Sequence, residues 1–326
     1  MSEVRFELAD VAGLRFRISP LWETVRSLYA LGDPGRHPVH RPWIRRARAL
    51  AREPALAGHV ALLSAFARPG AWMPDFLTPP PAGPRPDLAE ELAVLRRTPP
   101  DRVVADLTAV AGRRPLPPAA RSALDDPAGA LAALAAAVRG WHEAAIAPHW
   151  SRLRAALEAD IAVRSRRLAE GGPRRLLDTL HPTVRWAGDR LVCRDPWGLD
   201  LRLGGRGLPL VPSVFVDRRV LWTVRADSPP LAVYPARALA GLWDSAGRAG
   251  EEPLAAVVGG TRARLLALLT DPATTTELAG RLGLSPAAVS EHLRALRAAN
   301  LVARGPHGRT VLYVTTPLGA ALLNGR

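Results

Sequence analysis

The chain has 326 residues, 48% of them apolar, and a formal charge of +14. That length predicts two or three domains with full-sized cores and excludes a disordered chain. No run approaches the roughly 20 apolar residues of a membrane span, the opening Met1–Asp10 has no signal-peptide pattern, and a lone Cys193 excludes an internal disulfide framework.

The expected setting is therefore cytoplasmic, nucleoid-associated and away from any membrane. The basic residues are all arginine, which fits a GC-rich coding bias as well as a polyanionic partner. Residues 261–326 hold eight arginines against Asp271, Glu277 and Glu291, a net +5, so the excess is not confined to one end.

In chain order, Ser19-Pro20 predicts a helix start, a hydroxyl cap followed by proline at the first helical position. Leu21, Val25 and Leu28 follow at helical spacing, and further helical patterns cover Ile44–Ala51, Pro54–Ala67, Asp87–Arg97 and Asp101–Ala111. Proline-rich stretches at Thr78–Pro86 and Arg114–Pro118 read as loops. Asp126-Pro127 opens an Ala-rich helical stretch, divided at Pro148 and ended at Gly171-Gly172. In its second half Leu153, Leu157, Ile161 and Leu168 share a face, with Arg154, Arg164, Arg166 and Arg167 largely off it.

After His181-Pro182 the pattern changes to short strands. Val184–Trp186 and Leu191–Arg194 flank Gly188-Asp189 as a hairpin, and Leu199–Leu203, Leu208–Phe215, Val220–Val224 and Leu231–Tyr234 follow. Residues 182–235 thus predict one small, mostly antiparallel sheet, with a helix over Ala236–Ala246 and a boundary at Gly247–Pro253. The expected class is α+β: a helical region over 1–180, a small antiparallel sheet with a helix over 181–250 in the same accessory domain, and a winged helix-turn-helix over 251–326.

The C-terminal pattern is the most explicit. Thr261–Leu269 is a helix, and Thr274-Thr-Thr-Glu277 is a capping box opening another. Gly283 fits a left-handed helix end. Ser285-Pro286 starts the predicted recognition helix over 286–299, with Val289, Leu293 and Leu296 facing inward. Its other face carries Ala287, Ser290, Glu291, Arg294 and Arg297. Small residues at the leading end let a helix approach base edges, and the N-terminal N–H groups beside Ser285 suit a phosphate. Ser290 can bond a base edge or a phosphate, the two arginines suit phosphates or guanine, and Glu291 can accept from a cytosine amino group. His292 lies at the edge of the core face and reads as structural. A wing over 303–312 turns at Gly305–Gly308, clustering Arg304, His307 and Arg309 at its tip for the backbone or minor groove. Thr274, Ser285, Pro286, Ala287, Ser290, Glu291, Arg294, Arg297, Arg304, His307 and Arg309 are the candidate DNA-binding residues. Thr316-Pro317 begins a last helix whose Leu318, Leu322 and Leu323 offer a face for pairing two subunits.

The pattern Glu277-Leu-Ala-x-x-Leu-Gly-Leu-Ser-x-x-x-Val-Ser-x-His-Leu-x-x-Leu-x-x-Ala-x-Leu-Val302 resembles the ArsR/SmtB family of bacterial repressors over roughly the last 70 residues. The resemblance implies a homodimer gripping an inverted-repeat operator in double-stranded DNA and released by an effector. Metal-sensing members carry cysteines on the helix that here begins at Thr275, and carboxylate or histidine ligands in the last helix. Neither is present, so no metal and no cofactor is expected. Upstream, Ser19-Pro-Leu-Trp-Glu23, Pro74-Asp-Phe-Leu-Thr-Pro79, the Gly205–Phe215 stretch and Tyr234-Pro-Ala-Arg237 resemble an extension fused to ArsR-like domains in actinobacterial regulators.

No catalytic constellation is visible, so the expectation is a non-enzyme. Gly204-Gly-Arg-Gly207 lacks the strand and helix context of a nucleotide loop and reads as a hairpin turn. His37-x-x-His40 offers two ligands without a third and reads as solvated loop histidines. Arg41, Arg45, Arg46, Arg48 and Arg52 form either a solvated helix face or a second DNA contact. Trp186, Trp197, Phe215, Trp222 and Tyr234 either line a pocket for a small organic effector or fill the core between sheet and helices. The N-terminal region is expected to dimerise and receive such an effector; the alternative is a ligand-binding protein or enzyme in residues 1–250 with an appended winged helix.

Overall fold

The computed structural model describes all residues except 70–72, 197, 225–228, 238, 240–241, 244–252, 270–271, 308–309 and 324–326. The chain divides into two compact units, Met1–Trp243 and Asp244–Arg326. Among the described residues no helix is long and apolar enough to cross a membrane.

The first unit opens with strand β1 (Ser2–Arg5), a short helix α1 (Leu8–Ala12) and strand β2 (Leu14–Phe16). A run of helices follows: α2 (Pro20–Gly32), α3 (Arg41–Leu50), α4 (Pro54–Phe66), α5 (Leu88–Arg96), α6 (Pro100–Ala111), α7 (Pro118–Asp125), α8 (Pro127–Trp141) and α9 (Trp150–Asp178). Most begin at a proline, where the missing N–H would have had no helical acceptor anyway. The Ala-rich stretch is interrupted by a π turn over His142–Ile146 and a tight turn over Ala147–His149 that holds Pro148. Gly172, at φ 68° and non-helical, ends the long first part of α9 where Gly171-Gly172 predicts a stop, and a second short helical part runs on from Pro173 to Asp178.

Helix α2 organises the unit. Every residue from Pro20 to Ala30 is buried. Leu21, Val25 and Leu28 face the helical core with Trp43, Leu63, Leu95, Trp141 and Leu153. Its start is fixed by Ser19, whose hydroxyl accepts from the Trp22 amide at 3.0 Å and donates to Glu91 at 2.5 Å, while Glu91 also accepts from the Leu21 amide at 2.8 Å.

The strands beyond residue 180 are β3 (Val184–Ala187), β4 (Arg190–Cys193), β5 (Asp200–Arg202), β6 (Leu208–Ser213), β7 (Leu221–Thr223) and β8 (Leu231–Pro235). They do not form one sheet. They join the N-terminal strands in two four-stranded sheets, ordered β3-β4-β1-β5 and β2-β6-β8-β7. The β3–β4 hairpin is antiparallel, but β1–β5, β2–β6 and β6–β8 are parallel, so the sheets are mixed. Parallel pairing requires a long crossover, and β1 and β2 reach their partners across nearly two hundred residues. The predicted class holds, mixed α+β with a helical N-terminal region and small sheets, while the single antiparallel sheet is corrected to these two.

The glycine-rich Gly204–Gly207 is a turn between sheets, because β5 and β6 belong to different ones. Gly207, at φ 74°, packs so closely on Gly13 that a Cβ would sit 2.7 Å from the Gly13 carbonyl oxygen. Its amide donates to the buried Asp10 carboxylate at 2.9 Å.

The second unit contains α10 (Pro253–Val258), α11 (Gly260–Leu268), α12 (Thr275–Leu282), α13 (Pro286–Ala298), β9 (Val302–His307), β10 (Thr310–Thr315) and α14 (Pro317–Leu323). Strands β9 and β10 pair antiparallel, from Thr310 opposite His307 to Thr315 opposite Val302. The core joins Leu265, Leu266, Leu278, Val289, Leu293, Leu296 and Val302. This order of helix, helix, turn, helix and two-stranded wing is a winged helix-turn-helix. The helix predicted over 236–246 and the boundary at 247–253 lie largely outside the described residues.

Candidate nucleic-acid interface

The interface is built around α12 and α13. Thr274 caps α12: its hydroxyl accepts from the Glu277 amide at 3.3 Å, and the Glu277 carboxylate accepts from the Thr274 amide at 2.8 Å and hydroxyl at 3.0 Å. The Thr274 hydroxyl therefore has its proton and one lone pair committed within the cap. These bonds hold the Glu277 carboxyl below the usual carboxylate range. Gly283 ends the helix in the left-handed region at φ 67°, where a side chain would be strained.

Two residues later Ser285 caps α13, accepting from the Ala288 amide at 3.2 Å, and Pro286 takes the first helical position. Val289, Leu293 and Leu296 are buried; Pro286, Ala287, Glu291, Arg294 and Arg297 are exposed, and Ser290 is half-buried. Helical periodicity alone produces this division, because the apolar residues recur at i, i+4 and i+7. Among the described residues neither Arg294 nor Arg297 is in an ion pair. Their guanidinium groups are thus available to an external anion. His292 is half-buried with its Nδ1 lacking a hydrogen-bond partner among the described residues.

Arg304 is exposed on β9. The His307 side chain and Arg309 lie outside the described residues. On α14, Leu318 and Leu322 are 53% and 39% exposed, whereas Leu323 packs against the core. The helix sits tightly on the domain: a Cβ on Gly319 would overlap the Leu301 carbonyl oxygen.

The four described members of the aromatic set, Trp186, Phe215, Trp222 and Tyr234, do not line one common cavity. Phe215 is fully buried against Trp43, His40 and Trp243, at 4.9, 4.7 and 6.2 Å between ring centres. Tyr234 is fully buried under the Arg164 guanidinium, 4.3 Å from its ring centre. Trp186 stands edge-on to Phe6 at 5.1 Å, and Trp197 lies outside the described residues. Trp222 alone of the described four lines a cleft, of about 570 Å³, shared with Trp22, Arg26, Tyr29, Met73 and Leu221. Trp22, Arg26 and Tyr29 recur at i, i+4 and i+7 on α2, one position out of phase with the core-facing Leu21, Val25 and Leu28. That spacing is visible in the sequence once a helix buried on all sides is considered.

The paired histidines also differ from expectation. His37 and His40 are 5% and 3% exposed rather than solvated. His40 Nε2 donates to the Val214 carbonyl at 2.8 Å and Nδ1 accepts from the Trp243 indole at 2.9 Å, which fixes the tautomer. Burial pushes its pKa down to about 4. Among the described residues no group of three or more His, Cys, Asp or Glu side chains is placed to hold a metal ion.

Comparison with known proteins follows the same division. Residues 261–304 match the model of the arsR family of bacterial regulatory proteins, and residues 3–118 match DUF5937, a family of unknown function. A search of curated proteins finds no match. Among solved structures, a possible transcriptional regulator for arsenical resistance is 40% identical over 22% of this chain and 74% of that one, with a TM-score of 0.20. A double mutant of Lactococcus lactis ZitR in apo form is 27% identical over 22% and 57%, with a TM-score of 0.21. The adhesin competence repressor AdcR of Streptococcus pyogenes is 26% identical over 20% and 52%, with a TM-score of 0.20. The chain spans about half the length of the ZitR and AdcR chains. With the capped helix pair, the left-handed glycine and the wing in place, the C-terminal domain is an ArsR-like winged helix-turn-helix, matching the model of the arsR family of bacterial regulatory proteins over residues 261–304.

Proposed function

We propose that the protein is a sequence-specific DNA-binding transcriptional regulator, a homodimeric repressor acting at an inverted-repeat operator. The observation that carries this reading is the exposed face of α13. It presents Ala287, Ser290, Glu291, Arg294 and Arg297 while Val289, Leu293 and Leu296 are locked in the core. Such a helix enters a major groove leading with its small residues. Arg294 and Arg297 meet phosphates or guanine, Ser290 and Glu291 read base edges, and the N–H groups beside Ser285 and Pro286 take a phosphate. Arg304, with His307 and Arg309, serves the wing. The exposed Leu318 and Leu322 on α14 favour pairing of two copies, which gives the two-fold symmetry an inverted repeat requires. The N-terminal unit, in this reading, contributes to dimerisation and receives a small organic effector.

Genome-wide footprinting followed by binding titrations tests the proposal. The expected result is a small set of protected inverted repeats, bound with an affinity that falls steeply as salt rises. Equal affinity for genomic fragments and random DNA would refute it.

A further inference from the structure

The cleft of about 570 Å³ in the first unit has a divided lining. Trp22, Tyr29, Met73, Leu221 and Trp222 supply apolar and aromatic walls, and the charged groups gather beside them. A volume of this size is typical of sites for small organic molecules.

Most of the charges in the cleft are already engaged. Asp33 pairs with Arg36 at 3.1 Å, Asp200 with Arg5 at 3.6 Å, and Asp217 with Arg218 at 3.3 Å. Asp75, Arg113 and Arg219 have partners of their own. Arg26 differs. It is 8% exposed, its guanidinium lies 3.7 Å from the Tyr29 ring centre and bonds to the Tyr29 side chain, and among the described residues no carboxylate is within ion-pair distance of it, Glu23 and Asp217 acting on it only from further off. Glu23, one turn earlier, accepts from the Val214 amide at 3.2 Å. The Arg26 Nε is buried without an acceptor, and so is the indole Nε1 of Trp22, itself 2% exposed. Residues four apart on a helix are neighbours, so the two donors belong to one patch of the cleft wall. A buried guanidinium N–H and a buried indole N–H, each without an acceptor, are both costly unless a ligand completes them.

We infer that this cleft is a binding site for an aromatic monocarboxylate, with Arg26 and Trp22 taking the carboxylate and Tyr29, Met73 and Trp222 enclosing the ring. A planar carboxylate has two oxygens to offer the two donors, and a guanidinium is the side chain best matched to it. The inference rests on the reading of the N-terminal unit as the receiver of an organic effector, and it supplies the site and the ligand class.

The test uses the full chain and isothermal titration with benzoate, phenylacetate and indole-3-acetate, each beside its primary amide. At least one acid is expected to bind with a Kd below about 1 mM and at least tenfold tighter than its amide. Arg26→Gln should abolish the preference for the acid, and Trp222→Ala should weaken binding of acid and amide together. Failure of all three acids to bind, equal binding of acid and amide, or a preference that survives in R26Q would overturn the inference. The acid-to-amide comparison on the unmodified chain decides the matter even where R26Q does not fold. DNA binding measured on the same preparation keeps the two proposals apart: acid binding without operator binding refutes the regulator, and the converse refutes the site.

Discussion

Thr274 and Glu277 hold each other at the start of α12 through reciprocal backbone bonds of 3.3 and 2.8 Å, so the helix preceding the recognition helix is fixed by its own first turn. Replacing Thr274 by alanine removes the acceptor for the Glu277 amide. The expected cost is about 1 kcal/mol, read as a shift in the denaturation midpoint of the second unit. DNA affinity should fall only modestly, because the Thr274 hydroxyl is already engaged in the cap. A stability unchanged from the parent would mean that this cap contributes nothing.

Arg164 and Asp160 form an ion pair at 2.7 Å with both side chains fully buried. The guanidinium also donates to the Thr179 and Leu180 carbonyls at 2.9 and 3.3 Å, and Asp160 accepts from the Arg237 amide at 3.1 Å. Arg164→Met leaves a buried carboxylate without its counter-charge and two carbonyls without a donor. A loss of about 3–5 kcal/mol is expected, measured by urea denaturation. A loss below about 1 kcal/mol would place the pair in solvent instead.

Gly207 is required by its φ of 74° and by the backbone it touches. Gly207→Ala introduces a Cβ 2.7 Å from the Gly13 carbonyl oxygen, which no rotamer change relieves. The loss should be at least about 2 kcal/mol, the left-handed strain and the overlap adding together. Gly204→Ala, at φ 63° with open space around its Cβ, carries the strain alone and should cost less. Equal effects in thermal melts would contradict the close approach.

Burial raises the Glu91 carboxyl from 4.5 to about 8, against hydrogen bonds from Ser19 and Leu21 that lower it. The folded chain therefore keeps this proton where the unfolded chain loses it. The stabilisation is complete below about 4.5 and is lost as pH rises through about 8. Glu23, raised to about 7 by burial, acts in the same direction. His40, lowered from 6.5 to about 4, acts in the opposite one, its contribution being present above 6.5 and lost as pH falls through about 4. Glu91→Gln keeps a donor and an acceptor for Ser19 and Leu21 but cannot ionise. It should flatten the loss of stability on the alkaline side by about 2 kcal/mol or more, at roughly 1.4 kcal/mol per pKa unit. An unaltered pH profile would show that Glu91 ionises freely in the fold.

The C-terminal domain was legible in the sequence because local rules determine it. A capping box, a left-handed glycine, a Ser-Pro start and a 3.6-residue apolar repeat all act within a few residues of one another. The same is true of the β3–β4 hairpin. The rest depends on contacts distant in sequence. Nothing near Ser2–Arg5 announces that β1 will pair with β4 and β5 nearly two hundred residues later. Arg164 lies off the leucine line of α9 and reads as a surface residue, yet the Thr179 and Leu180 carbonyls and the Tyr234 ring cover it. His40 reads as solvated because its partners, Val214 and Trp243, lie far along the chain. The cleft is not legible for a related reason: Trp22, Arg26 and Tyr29 lie on a helix buried on every side, so no polar face in the sequence marks the wall they form.

The central claim, that α13 reads DNA, is tested most directly by fluorescence anisotropy on a footprinted genomic fragment and a scrambled one across a salt series. The chain should bind the genomic fragment at least about a thousandfold more tightly. The Arg294→Ala, Arg297→Ala double variant should lose most of that affinity, and its log–log salt slope should be shallower by about one for each phosphate contact removed. Equal binding of the two fragments, or a double variant that binds and responds to salt as the parent does, would contradict the account.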